Sequence, residues 1–321
     1  MRTIFVHRDG TTRQVDAVDP AWLAPDAPEV VWVNLDHPTE ADRPLLEDVF
    51  HFHELAVEDA LAERHHPKIE RYDQFLYLIL HGVGTREHHA GFETRDVDFF
   101  LGRNYLVTVH TTESPSIVAE QELCTKHHTV MAEGPVALLH RIADHMVDRY
   151  LPCLDVLEQR VERVEAAIFS RRHGNPLHDV LRLKSDVASL RRVAGPQRDV
   201  IGRLARREFP EIPDAMAYRF RDIYDHLVRI ADEATFFQDR LTGLLDAYLS
   251  TQSNRMNQVM KVLTLIATIF MPLTVVTGIY GMNVALPHWP GGDAGQFWWI
   301  LAFMAVMTAA MMWWFRWMEW L

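Results

Sequence analysis

A short polar segment near the end of the chain carries the residues best suited to contact an ion. Gly281, Met282 and Asn283 lie within an uncharged run of 31 residues, 262–292, and a second uncharged run of 22 residues spans 294–315. Each run is long enough for a helix across a hydrocarbon core of about 30 Å. Asn283 would then lie where the chain emerges from the membrane, with its amide oxygen available to a cation.

The residue types in this segment favour a cation that keeps its water. Neither run contains Asp or Glu, so no carboxylate within them could replace the hydration shell of a divalent ion. Mg²⁺ loses water reluctantly and usually keeps several water ligands when it is bound. The amide of Asn283 could hydrogen-bond to such a hydrated ion, and Gly281 would let the backbone approach it closely. Zn²⁺ prefers His or Cys ligands, and only His288 is near.

A stripe of polar, small and flexible residues precedes Asn283. Its members follow one another at intervals of mostly three or four, which places them on one face of a helix. If several copies of the chain packed around an axis, this face would line a tube with Met and Leu constrictions and Asn and Thr oxygens. A contact stripe between helices uses similar residue types, so periodicity leaves both interpretations open. The stripe consists of Asn257, Met260, Leu263, Ala267, Met271, Thr274 and Gly281.

The charges of the chain are segregated from the uncharged runs. Most of the 32 Lys and Arg and 44 Asp and Glu residues precede Val262, and the net charge of -12 argues against nucleic acid as a partner. Arg255 and Lys261 precede the first run and Arg316 follows the second, whereas the connection has no Lys or Arg. The positive-inside rule therefore predicts that both termini are in the cytoplasm. We expect a multi-pass protein of the cell inner (plasma) membrane.

Residues 1–135 are predicted to form a cytoplasmic α/β domain. Runs rich in Val, Ile, Tyr and Phe, bounded by turn-forming residues, predict strands at 3–7, 30–35, 75–81, 98–101 and 105–110. Helices are predicted at 39–50 and 55–63. The segment Gly82-Val83-Gly84 lacks the rest of a dinucleotide fingerprint and is interpreted as a turn.

Residues 136–257 are predicted to form a cytoplasmic helical stalk domain, followed by a transmembrane hairpin at 258–321. One helix is expected from Tyr150 to Ile168, and another over 177–209 with an interruption near Gly195-Pro196. The segment 171–208 contains ten Lys and Arg residues and only four Asp and Glu residues, which predicts a solvated or anion-facing surface. No proline and one glycine occur between Asp214 and Met271, so we expect one helix continuing into the membrane, stabilised by an oligomer.

Several blocks of sequence resemble the CorA family of magnesium/cobalt (divalent metal) ion transporters. The Tyr-Gly-Met-Asn segment at 280–283 is preceded by the family-like stretches 256–264 and 269–274. Further family-like blocks occur in the expected order at 32–35, 53–59, 67–70 and 218–226. The resemblance covers nearly the whole chain.

This resemblance implies an α+β membrane protein that assembles as a funnel-shaped homopentamer in the lipid bilayer. Each subunit would combine the α/β domain, a helical bundle with a long stalk helix, and two C-terminal transmembrane helices. The pore-lining span would cover about 262–280, the outer loop 281–296 and the second span 297–316. The implied activity is influx of Mg²⁺, with Co²⁺ and Ni²⁺ as further substrates. It implies no enzymatic reaction and no cofactor beyond Mg²⁺ as the transported and regulatory ion.

The resemblance also assigns roles to individual residues. Gly281, Met282 and Asn283 would form the selectivity entrance, with Asn283 contacting the metal. Asp246, and less directly Asp222, would bind regulatory Mg²⁺ at subunit interfaces, where unneutralised carboxylates repel one another. The pore would be lined by Asn257, Met260, Leu263, Met271 and Thr274.

Three segments depart from the family pattern. The acidic partner expected for Asp246 falls on Arg86, with Glu87 or Glu93 as substitutes. The outer loop lacks the usual acids and leaves Asp293 to attract cations, and the C-terminus carries Arg316 where a basic cluster is usual.

Two alternatives stay open on the sequence. The eighteen histidines and the zinc-transporting ZntB branch suggest Zn²⁺ as the cargo, although that branch typically carries Ile where Met282 stands. The other alternative is a membrane-tethered enzyme or sensor without a pore, although the enzyme motifs HExxH, GxxxxGK[ST] and GxSxG are absent from the sequence. The densest histidine positions are His51 and His53, His65-His66, His88-His89 and His127-His128.

Overall fold

The computed structural model of the 321-residue chain describes residues 1–62, 66–85, 92–169, 176–283 and 292–320. Two compact units emerge, Met1–Leu245 and Asp246–Leu321. The first contains a mixed sheet and most of the helices, and the second contains the two uncharged runs.

A seven-stranded sheet organises the first unit. Its strand order is β2-β1-β3-β7-β6-β5-β4. The central pair β3 and β7 is parallel, and the other neighbouring strands are antiparallel. The strands are β1 Arg2–Arg8, β2 Thr11–Val15, β3 Val30–Asp36, β4 Lys68–Arg71, β5 Leu76–Thr85, β6 Phe92–Leu101 and β7 Tyr105–His110.

Helices follow and interrupt the strands. Two long helices, α4 with 20 residues and α5 with 30, contact each other and precede the longest helix, α6, which runs for 67 residues. The α-helices in the described residues are α1 Glu54–Leu61, α2 Pro115–Lys126, α3 Pro135–Asp148, α4 Tyr150–Phe169, α5 Pro176–Ala205, α6 Asp214–Tyr280 and α7 Gly292–Trp317.

The central strands are buried on both faces. Helix α1 and the residues before it pack on one face, over an aromatic cluster whose contacting ring centroids are 4.2 to 5.9 Å apart. Leu78, Phe99 and Leu106 belong to the alternate positions and are also fully buried, and α3 and α5 contact these strands. The aromatic cluster contains Phe50, Phe52, Phe75, Phe100 and Tyr105.

The five strands predicted from sequence are confirmed, and two short edge strands, β2 and β4, were not predicted. The predicted turn at Gly82-Val83-Gly84 is wrong, because β5 continues through it and pairs with Arg95 and Glu93 of β6. A Cβ atom at Gly84 would lie 2.8 Å from Nε of Arg95, so glycine leaves room for that side chain.

The helix predictions are confirmed for α1, α4 and α6 but wrong in two places. Residues 39–50 form a 3₁₀ turn, Glu40–Asp42, and a π-helical turn, Leu45–Val49, on either side of Pro44, which lacks an N–H for a regular helix. The predicted interruption at Gly195-Pro196 is absent, because α5 continues through Pro196. The buried Gln197 next to it accepts a hydrogen bond from the His81 N–H at 2.7 Å, which anchors this part of α5 to the sheet.

The second unit contains the end of α6 and helix α7. Both helices are long and apolar enough to cross a membrane, by length and composition. Among the described side chains of this unit, Leu265 of α6 and Phe315 of α7 are the buried apolar ones, and most others of both helices are exposed in the single chain.

Candidate functional site

The structure places the five predicted pore-lining residues on one face of α6. All five are exposed in the single chain, as are Ala267 and Gly281 of the same stripe. With 3.6 residues per turn, the more buried residues of this segment fall on the opposite side of the helix. These opposite residues are Leu265, Thr268, Ile269, Pro272, Leu273 and Val276.

Helix α7 packs on that opposite side. Thr264 and Thr268 of α6 share a small cavity of about 200 Å³ with Trp314 and Phe315 of α7. Phe315 is only 3% exposed. The stripe from Leu263 to Gly281 therefore faces away from α7 within the single chain, and a contact stripe between copies of the chain stays open as the alternative to a pore lining.

Thr274 and Gly281 each have a local reason for their residue type. The Thr274 hydroxyl donates to the carbonyl of Phe270 at 2.8 Å, so its oxygen keeps a lone pair that can accept from a ligand. The Gly281 N–H donates to the Thr277 carbonyl at 2.8 Å, and a Cβ atom at Gly281 would lie 2.9 Å from that same oxygen. The tight end of α6 therefore requires glycine immediately before Met282 and Asn283.

Asn283 is exposed and follows the end of α6 by three residues. Its side chain forms no hydrogen bond within the described part of the chain, so the amide is free to contact a ligand. The predicted outer-loop residues 284–291 and the side chain of Asp293 lie outside the described residues.

The other end of the hairpin has a feature that the sequence analysis missed. Asn257 and Met260 of the stripe, with Lys261, line a cavity of about 540 Å³ against Glu319 and Trp320. Lys261 Nζ donates to the Glu319 carbonyl at 3.3 Å. Lys261 of α6 thus lies next to the C-terminal end of α7, where a positive charge interacts favourably with the helix dipole. Arg316 is therefore not the sole cation at this end.

The two predicted regulatory aspartates are both exposed on α6 but belong to different compact units. Asp246 begins the second unit, and no ion pair of its carboxylate occurs within the described residues. Asp222 lies in the first unit, close enough to Asp144 of α3 to affect its ionisation. Glu93, a suggested partner of Asp246, is half-buried in β6, and Arg86 and Glu87 lie outside the described residues.

Asp144 belongs to a candidate metal centre that was not predicted. One ligand atom each from Asp144, Asp148 and His226 lie within 4.8 Å of one another. Burial raises the pKa of Asp144, and the nearby Asp148 and then Asp222 raise it further. A divalent cation would relieve this repulsion. No sequence pattern predicts this cluster, because α3 supplies both aspartates and α6, far away in the sequence, supplies the histidine.

Two of the described histidines at the dense positions, His53 and His128, make contacts that hold the local structure. His53 Nδ1 accepts from the Leu55 N–H at 3.2 Å at the start of α1, and His128 Nδ1 lies 3.1 Å from the Thr12 carbonyl. His65, His88 and His89 lie outside the described residues.

Comparison with known families decides the assignment of the chain. A family model described as CorA-like Mg²⁺ transporter protein matches residues 28–316. The chain belongs to the CorA-like family. It is thus a divalent cation transporter of this family, and its two apolar helices agree with a location in a membrane.

Individual CorA-like relatives cover almost all of the chain. The cobalt/magnesium transport protein CorA of Thermotoga maritima is 31% identical over 98% of this chain and 89% of its own length. The zinc transport protein ZntB of Pectobacterium carotovorum is 24% identical over 83% of this chain and 80% of its own length. The solved CorA magnesium transporter from Methanocaldococcus jannaschii superposes with a TM-score of 0.83 over 98% of this chain and 97% of that one, at 22% identity. That likeness confirms the predicted fold of the single chain, an α/β domain with a long helix and two C-terminal apolar helices.

Proposed function

We propose that this chain is the subunit of a homopentameric channel that carries Mg²⁺ into the cell, and that the stripe from Asn257 to Thr274 lines its pore. The observation that carries the proposal is the position of the stripe on α6, directly opposite the face that packs against α7. A polar stripe left exposed on an apolar helix is costly in lipid, so another copy of the chain or water must cover it.

Selectivity would arise where α6 ends. The free amide of Asn283 and nearby backbone carbonyls would hydrogen-bond to the waters of hydrated Mg²⁺, and five copies would form a ring. Gly281 permits the tight backbone that brings Asn283 to this point. Co²⁺ and Ni²⁺ would use the same ring, since they too enter as hydrated divalent ions.

Regulation would come from carboxylates in the aqueous part of the chain. Asp246 would meet its copies or another acidic residue at a subunit interface, and Asp222 would act with the cluster of Asp144, Asp148 and His226. Bound Mg²⁺ would neutralise these groups and favour the closed state, and its loss would restore repulsion. In this proposal residues 1–135 and 136–257 form the cytoplasmic domains, and both termini are cytoplasmic.

The central test is uptake of Mg²⁺ by proteoliposomes that contain the full-length protein. Asn283→Ala should abolish uptake, because it removes the ring of amides. Asn254→Ala is the matched control, since Asn254 is an exposed asparagine of α6 outside the stripe. Equal uptake by wild type and Asn283→Ala would refute the proposed selectivity site. The detergent-solubilised mass should correspond to a pentamer, and a stable monomer would contradict the pore.

Zn²⁺ is the second candidate cargo, because a zinc transport protein is among the relatives of the chain. Uptake of Mg²⁺, Co²⁺ and Zn²⁺ should be compared in the same proteoliposomes, with and without a pH gradient. We expect Mg²⁺ uptake that needs no pH gradient. Uptake of Zn²⁺ alone, or uptake that requires the gradient, would favour the zinc alternative.

A further inference from the structure

A basic cavity lies where α5 ends and α6 begins. It has a volume of about 450 Å³ and is lined by residues of both helices and of the turn between them. Three of its lining residues are arginines, one is a tyrosine, and none is acidic. The lining consists of Ala205, Arg206, Arg207, Ala217, Tyr218 and Arg221.

Arg207 adopts a backbone conformation that normally favours glycine. It has φ of 61°, in the left-handed region. Its N–H donates to the Leu204 carbonyl at 3.2 Å and the Glu208 N–H donates to the Arg203 carbonyl at 3.3 Å, the pair of bonds that defines a Schellman motif. The left-handed position of this motif is usually glycine, so arginine at this position carries a conformational cost. Its guanidinium lies over the ring of Tyr218, 5.1 Å from the centroid.

The arginines around the cavity are only weakly engaged. Arg206 pairs with Glu208 at 3.0 Å and Arg207 with Asp214 at 3.2 Å, and all four side chains are substantially exposed. Exposed ion pairs of this kind contribute little and exchange readily. Arg221 has no ion pair or hydrogen bond within the described residues. The cavity can therefore direct several guanidinium groups at an anion without breaking a buried contact.

We propose that this cavity binds a soluble phosphate-bearing anion of the nucleoside polyphosphate class. Guanidinium groups match phosphate oxygens in a bidentate fork, and three of them suit a ligand with more than one phosphate. Tyr218 is 64% exposed, which leaves ring surface for a base to stack on. The volume is within the range of small-ligand pockets. The ligand would bridge Arg206 and Arg207 to Arg221 of α6. This inference does not depend on the proposed transport function.

A lipid headgroup would supply the same phosphate chemistry, but the position of the cavity argues against it. Tyr218 and Arg221 lie near the start of α6, whereas the uncharged run of the same helix begins only at Val262. A soluble anion has access to the cavity without a membrane surface nearby.

The test is calorimetric titration of the full-length protein in detergent, with EDTA present to remove divalent ions. Pyrophosphate and ATP are the probes, and sulfate at equal ionic strength is the non-specific control. We expect both probes to bind, ATP more tightly. Arg221→Gln should weaken both by about tenfold or more, whereas Arg192→Gln, at an exposed arginine of α5 outside the cavity, should change neither. Equal losses in the two variants would overturn the site, and ATP binding no tighter than pyrophosphate would overturn the nucleotide class.

Arg207→Gly separates binding from folding. Glycine relieves the left-handed backbone, so the unliganded variant should melt at a higher temperature than wild type while it binds pyrophosphate more weakly. A variant that is more stable and binds unchanged would show that Arg207 has no part in the site. Binding of short-chain phosphatidylglycerol without binding of pyrophosphate would overturn the soluble source.

Discussion

The buried carboxyl of Asp98 should make the stability of the first unit depend on pH. Asp98 is 5% exposed, and burial raises its pKa to about 8, against a hydrogen bond from the Tyr77 hydroxyl that favours ionisation. Below about pH 4 both the folded and unfolded states hold the proton. Above that, the unfolded chain releases it while the folded protein retains it up to about pH 8, so stability falls as pH rises.

The size of this effect follows from the difference between the two pKa values. Each pH unit within this window lowers the free energy of unfolding by about 1.4 kcal/mol. Asp98 alone therefore lowers the stability of wild type by about 2.7 kcal/mol between pH 5 and pH 7. Asp98→Asn keeps an oxygen for the Tyr77 hydroxyl and cannot ionise. Between pH 5 and pH 7, the free energy of unfolding of the variant should therefore rise by about 2.7 kcal/mol relative to that of wild type. For a unit of this size, the difference in melting temperature should grow by about 5 to 11 °C.

The assay is thermal unfolding of the detergent-solubilised protein at pH 5, 6, 7 and 8, with wild type and variant compared at each pH. Comparison at equal pH cancels the titration of all other groups. Asp16→Asn, at an exposed carboxylate of the first unit, is the matched control and should show no growing difference. A difference between Asp98→Asn and wild type that stays constant or shrinks as pH rises would refute the assignment of Asp98 as a protonated buried group.

Three further predictions concern the ion pathway and its regulation. Gly281→Ala should strain the end of α6 by about 1–3 kcal/mol and reduce Mg²⁺ uptake, because its Cβ would lie 2.9 Å from the Thr277 carbonyl; Gly243→Ala, at an exposed position of α6 outside the stripe whose Cβ meets nothing within 4 Å, should transport normally. Leu263→Ser should raise basal uptake by wetting an apolar ring of the pore, and unchanged or lower uptake would argue against that ring. Mg²⁺ should raise the melting temperature of the protein, and Asp144→Asn should increase the Mg²⁺ concentration needed for the same rise by about tenfold, which corresponds to about 1.4 kcal/mol of binding free energy. An unaltered Mg²⁺ response would exclude Asp144 as a ligand.

Sequence patterns predicted the long elements well and the short ones poorly. The spacing of apolar residues was sufficient for α4 and α6, because many turns repeat the same signal. The strand β4 spans only four residues, Lys68–Arg71, and three of them are charged, so no apolar alternation marks it. Helix α5 passes through Pro196 although the local sequence predicts a break, because packing of the helix against the sheet outweighs one lost hydrogen bond.

The sequence by itself determined the family and the two apolar helices, because these depend on contiguous motifs and on hydrophobic length. It also carried the prediction of an ion site at Asn283. Only the tertiary structure decided which face of α6 packs against α7, since that choice depends on which side chains of a second helix are nearby. It alone brought His226 to Asp144 and Asp148, and Arg221 to Arg206 and Arg207. Residues from separate helices leave no common spacing in the sequence, so the polar groups they assemble become visible only when the chain is folded.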